Sequence, residues 1–149
     1  MTSSVARHDI VSGIGVDPAV TDTIASLLAQ GMSAWTEPDP TRRRDLLAAC
    51  CASDVEYASP LGTAVGLDEY TDLIGEVHRA YPGFRPVRTS AVDLHHRYAR
   101  LEWAFQDHAG RTSLTGLDVL TFTEQSRIAS VTAFYGPTPP IRYVYGSTG

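Results

Sequence analysis

The spacing of apolar positions changes once along this chain. Up to about residue 81 they recur every three or four residues, and beyond it they alternate with polar ones. The first spacing predicts helices and the second predicts strands. Asp17-Pro18 is a helix start, with Asp as cap and Pro in the first turn. Val20, Ile24, Leu27, Leu28, Met32 and Trp35 then form one buried stripe, which EPDP (37–40) stops. Thr41 is expected to cap a short second helix reaching Cys51, with Leu46, Leu47, Cys50 and Cys51 inward. DVEYASP (54–60) reads as a short strand closed by Pro60 and Gly62. Asp68 is expected to cap a third helix with the stripe Tyr70, Leu73, Ile74, Val77 and Tyr81, ended by PGF (82–84).

Residues 85–94, 97–107, 111–123 and 127–136 read as strands, and the short breaks between them suit hairpins. PTPP (137–140) ends the last one. Helices first and antiparallel strands afterwards imply an α+β fold, with helices on one face of a curved, mainly antiparallel sheet. One domain over 17–137 is expected, with a flexible tail at 1–16 and a second tail at 138–149 that packs on a neighbour.

Alternation along the strands sorts side chains by face. In RYARLEWAFQD, Arg100, Glu102, Ala104 and Gln106 share one face, and Leu101, Trp103 and Phe105 share the other. The plain reading makes the apolar face core. In LTGLDVLTF both faces are largely apolar, which marks a central strand covered on both sides. Asp118 lies on the face of Gly116, Leu120 and Phe122. An acid in such a place is costly unless it is used. In RIASVTAFYG, Val131, Ala133 and Tyr135 share a face whose small-then-large pattern suits the wall of a hollow.

Composition narrows the function. The chain has 149 residues, 43% of them apolar, and a formal charge of −5. No apolar stretch approaches the ~18 residues that span a bilayer. The opening MTSSVARHDIVSGIG does not read as a secretory signal, so a cytoplasmic location is expected. The acidic balance argues against nucleic acid as a partner. The basic run Arg42-Arg43-Arg44 reads as a solvated helix face. Lysine is absent, which excludes Schiff-base chemistry. Cys50 and Cys51 are adjacent, and on one helix they would diverge by about 100°, so they read as free core thiols. The five histidines show no chelating spacing, and neither a metal nor a cofactor is expected. His78 is expected near the mouth of a pocket.

Taken in order, the three-helix start, ASDVEYASP, the GLD motif (116–118) and RIASVTAFYG resemble the nuclear transport factor 2-like superfamily. It is a cone-shaped α+β fold that includes ketosteroid isomerase, limonene epoxide hydrolase and SnoaL-like polyketide cyclases. The resemblance covers roughly residues 20 to 136. It implies that three helices and a curved sheet enclose a pocket for a small hydrophobic substrate. Asp118 resembles the oxyanion-hole acid of the isomerases, whereas their general-base Asp falls at Ser59 and their first-helix tyrosine near Gly31. Arg100-x-Glu102 resembles the Arg-x-acid pair of the hydrolases, and Tyr57 their water-positioning tyrosine. Ser59 stands where the hydrolases carry Asn, and their second Asp falls at Ala133.

The resemblance therefore implies catalytic roles for Asp118, Glu102, Arg100 and Tyr57, with Ser59, Tyr135, Ala104, Leu120, His78 and Trp35 contacting substrate. Glu102 beside Arg100 would be ionised and Asp118 would keep its proton, giving one base and one acid. It also turns Leu101, Trp103 and Phe105 outward, which implies a homodimer through the outer sheet face. A SnoaL-like cyclase or isomerase acting on a polyketide- or terpenoid-like substrate is the first expectation. An epoxide hydrolase and a non-catalytic ligand-binding or protein-interaction module remain as alternatives.

Overall fold

The computed structural model describes residues 9–142. Within them the elements run β1 (Ile10–Ser12), α1 (Pro18–Thr36), α2 (Pro40–Cys50), β2 (Cys51–Ser59), β3 (Gly62–Val65), α3 (Leu67–Ala80), β4 (Arg85–Arg88), β5 (Val92–His95), β6 (Tyr98–Gln106), β7 (Thr112–Phe122) and β8 (Ile128–Tyr135). The strands form one sheet in the order β1-β5-β6-β7-β8-β2-β3, with β4 also paired to β6. Pairing is antiparallel except for β1 with β5 and β2 with β8. The sheet is mainly antiparallel, as expected, with two parallel pairings, one of them formed where β8 returns beside β2 after α3 and strands β4 to β7.

Both early helices start the same way. Asp17 accepts from the Ala19 N–H and Asp39 from the Arg42 N–H, each followed by Pro in the first turn. EPDP therefore stops α1 and starts α2, and Asp39 takes the capping role expected of Thr41. Gly66, at φ 86°, stands at the N-terminus of α3 in place of the expected Asp68. Ile10–Ser12, in the stretch expected to be tail, pairs with Val92–Leu94. Residues 1–8 and 143–149, which hold the rest of the two expected tails, lie outside the described residues. The predicted strand 85–94 is split into β4 and β5, both of which pair with β6.

Arg43 departs from the solvated face expected of its run. It is 4% exposed. Its guanidinium donates to the backbone oxygens of Glu37, Pro38 and Thr71 and to His78 Nδ1. That ties the α1–α2 corner to α3, and the hydrogen bonds compensate the buried cation. Cys50 and Cys51 are buried free thiols, as expected, but they do not diverge. The helix ends between them, and their sulfurs lie 3.7 Å apart, both buried.

The core lies between the helices and the inner sheet face. Ile24, Leu28, Leu47, Val55, Ile74, Leu94 and Phe122 are buried there. No helix among the described residues is long and apolar enough to cross a membrane.

Candidate active site

Strand register decides which side chains face the helices. Leu101 pairs with Asp118 and Asp118 with Ala133, while Trp103 pairs with Gly116 and Gly116 with Tyr135. Directly paired residues point to the same side of a sheet. Leu101, Trp103, Asp118, Ala133 and Tyr135 therefore share the inner face. Leu101, Trp103, Asp118 and Tyr135 border a hollow under α1 and α3 that also meets Met32, Trp35, Tyr57, Val77 and Tyr81.

The hollow has two adjoining lobes, both partly open to solvent. The outer lobe reaches the exposed side chains of Leu61 and Tyr81, which mark its mouth. The inner lobe is bounded by buried Leu28, Leu47, Cys51, Tyr70, Leu120, Ile128 and Val131. Both lobes touch Met32, Trp35, Leu101 and Asp118. Asp118 thus stands at the waist between them.

Burial raises the Asp118 carboxyl to about 6, against the opposing pull of a hydrogen bond from Trp103. That bond, Trp103 Nε1 to Asp118 Oδ1, is 2.9 Å long. At neutral pH a group titrating near 6 is mostly ionised. The expected direction of the shift holds, but its size makes Asp118 a base at neutral pH and leaves the proton to its conjugate acid.

Three tyrosines surround the site. Burial raises Tyr57, Tyr70 and Tyr135, and the Asp118 charge adds to the rise in each. All three remain neutral hydroxyls able to donate. The Ser59 side chain lowers both Tyr57 and Tyr135 against that rise, and its Oγ accepts from the Leu61 N–H. Tyr70 stacks on Tyr57 at 4.9 Å and accepts from Trp35 Nε1 at 3.3 Å. Arg88 also borders the inner lobe, held by the Ser90 carbonyl and the Asp9 carboxylate.

Asp118, Tyr57, Tyr135, Trp35 and Leu120 line the hollow, and Ser59 stands behind it, close enough to lower Tyr57 and Tyr135. Four other expected site residues are elsewhere. Arg100 and Glu102 lie on the outer sheet face, exposed, and Arg100 Nε pairs with Asp93 Oδ2 at 2.9 Å. Ala104 shares that face, one residue out of phase with Trp103. His78 sits behind the hollow, with Nε2 2.6 Å from the Trp35 carbonyl oxygen. A carbonyl only accepts and a guanidinium only donates, so His78 is the neutral Nε2–H tautomer between Trp35 and Arg43.

The expected Glu102–Asp118 pair of acids on one pocket does not form, because residues 16 apart on neighbouring strands fall here on opposite faces. Leu101, Trp103 and Phe105 are buried. The exposed stripe from which a dimer was expected is therefore inside the molecule. Trp103 is the functional residue the resemblance misplaced, whereas Gly116 lies on the face of Asp118 as expected. The alternation of β6 alone puts Trp103 inward, as the plain reading had it. No cluster of three or more potential metal ligands occurs among the described residues.

Comparison with known proteins agrees with this fold. The family described as SnoaL-like domain matches residues 28–131. A structure named as a proposed isomerase of the SnoaL-like family from Agrobacterium tumefaciens is 28% identical, covering 80% of this chain and 99% of its own, with a TM-score of 0.71. A second, named as a proposed SnoaL-like polyketide cyclase from Jannaschia, is 11% identical over 83% of this chain and 91% of its own, with a TM-score of 0.66. A third, of unknown function with a cystatin-like fold, from Methylobium petroleophilum, is 14% identical over 96% and 85%, with a TM-score of 0.62. No curated protein matches.

Proposed function

We propose, from the premise that this chain belongs to the SnoaL-like domain family, that it is an isomerase or cyclase whose own side chains move the proton. The substrate is an apolar carbonyl compound of the polyketide or terpenoid kind. One observation carries this reading. A single carboxylate with a raised pKa faces an apolar hollow shared with neutral tyrosine hydroxyls.

Ionised Asp118 takes a proton from the carbon next to the carbonyl, and the electron pair of that C–H bond moves onto the carbonyl oxygen. A tyrosine hydroxyl of the Tyr57–Tyr135 pair donates to the enolate oxygen, in a dry site where such a bond counts for more than in water. Two outcomes balance. Where a carbon–carbon double bond is conjugated with the enolate, protonated Asp118 returns its proton to the far carbon of that system and the double bond shifts, which is isomerisation. Alternatively the enolate carbon attacks a second carbonyl, and Asp118 protonates the new alkoxide, which closes a ring. A base titrating close to the working pH suits both directions of transfer.

The epoxide-opening alternative lacks support. It asks for one group activating water and a second protonating the epoxide, and the Arg100–Glu102 pair faces away from the hollow. The ligand-binding alternative is favoured by one observation, the apolar character of most of the lining.

Deuterium incorporation from heavy water into 6-undecanone, at the carbons beside its carbonyl, separates the readings. The wild type is expected to catalyse exchange, Asp118→Asn to abolish it, and Glu102→Gln to leave it unchanged. Binding of the ketone without exchange above the solvent rate would overturn the enzyme reading in favour of a carrier.

A further inference from the structure

Gly31 lies inside α1, which runs unbroken from Pro18 to Thr36. Its backbone is not in the left-handed region, and a Cβ built on it meets nothing within 4 Å. Neither conformation nor packing asks for glycine here, although glycine weakens a helix interior relative to alanine. Gly31 borders the inner lobe, so its missing side chain leaves that lobe open. The lobe's other walls include Leu28, Leu120 and Val131, all buried. Unfilled space between buried apolar walls forgoes contact energy. Two destabilising choices thus meet at one empty volume, beside the acid that also borders the outer lobe.

We infer that the inner lobe, kept open by Gly31, is a substrate subsite, and that its ligand is an apolar molecule with an internal polar group and hydrocarbon on both sides. A molecule holding its carbonyl oxygen on the Tyr57 or Tyr135 hydroxyl, with the adjoining carbon beside Asp118, finds apolar room towards the mouth and towards the interior. Arg88 borders the inner lobe, but the Ser90 carbonyl at 2.6 Å and the Asp9 carboxylate at 3.2 Å already engage it. An anionic end group is therefore not called for. The subsite rests on the functional reading above only in placing the carbonyl at the waist, between Asp118 and the tyrosine hydroxyls.

Two isomeric ketones test it, 6-undecanone with a central carbonyl and 2-undecanone with one near its end. Binding is read from quenching of tryptophan fluorescence, since Trp35 and Trp103 both line the hollow. The wild type is expected to prefer the central isomer by about tenfold or more, the effect of several methylenes finding an apolar site. Gly31→Leu puts four carbons into the inner lobe. It should raise Tm by a few degrees, weaken 6-undecanone by at least about tenfold and leave 2-undecanone within about twofold. Gly31→Ala should move both readouts the same way by less.

Equal affinity for the isomers, binding of neither, or a folded Gly31→Leu that holds 6-undecanone as the wild type does would overturn the subsite. The deuterium-exchange assay keeps the two ideas apart. If Asp118→Asn still exchanges while Gly31→Leu selectively loses the central ketone, the acid reading fails and the subsite stands. If exchange disappears with Asp118→Asn and Gly31→Leu changes nothing, only the subsite fails.

Discussion

Trp103 donates its indole N–H to Asp118 across the β6–β7 pairing, at 2.9 Å. Leu101 is the direct partner of Asp118, and Trp103 lies one inward position further along the same strand. The ring reaches back over Gly116, where a Cβ would stand 2.1 Å from Trp103 Cζ2. The side chain missing at Gly116 is therefore what lets Trp103 hold the acid. Trp103→Phe keeps the packing but removes the donor, and the carboxyl is expected to titrate higher than in the wild type. The acidic limb of the pH–rate profile should move to higher pH with it. Gly116→Ala should displace the ring, destabilise the fold by about 1–3 kcal/mol through overpacking, and shift the same limb.

Stability should depend on pH through Asp118. Its folded value of about 6 lies above the ordinary aspartate value, so between roughly pH 4 and 6 the folded state binds more protons than the unfolded one. Stability is therefore highest below that window and falls as pH rises through it. The loss is on the order of 3 kcal/mol and is complete above the folded pKa. Asp118→Asn should abolish this fall. Urea unfolding of both proteins at pH 4.5 and 7 checks it, because the difference between them isolates the one carboxyl.

The outer pair should be dispensable. Arg100 and Glu102 point to solvent, and the Arg100–Asp93 bridge is exposed on both sides. Arg100→Ala and Glu102→Gln are each expected to change stability by less than about 1 kcal/mol and to leave ketone exchange within about twofold. A hundredfold loss in either would restore the two-acid arrangement that the register rules out.

Arg43 should matter more than either. Arg43→Met leaves the carbonyls of Glu37, Pro38 and Thr71 without their donor, at an expected cost of about 3 kcal/mol. His78→Phe should also loosen α1, because Trp35 loses the bond to its carbonyl oxygen. Thermal unfolding of the two variants gives both numbers.

Much of this was legible in the residues. Asp-Pro starts, the stripe of α1 and the alternation of β6 to β8 follow from local chemistry and period, and they place Asp118 inward. What was not legible lies in longer-range facts. Face assignment across β6 and β7 needs the register, and a resemblance that shifts β6 by one residue turns Arg100, Glu102 and Ala104 inward and Trp103 outward. Arg43 looks like any residue of a basic run until α3 brings the Thr71 carbonyl to it. Tyr70 reads as a core tyrosine, and only packing shows that the inner lobe opens beside it. The sulfurs of Cys50 and Cys51 approach because the helix ends between them, a boundary that propensity leaves uncertain by a residue or two.

The most direct test of the account is a carbon-13 titration of the Asp118 carboxyl, assigned by the signal that disappears in Asp118→Asn. A midpoint near 6, moving higher in Trp103→Phe, is the result predicted. A midpoint close to 4 that ignores Trp103 would place the carboxyl in water and contradict the dry, tryptophan-held base on which the proposed chemistry depends.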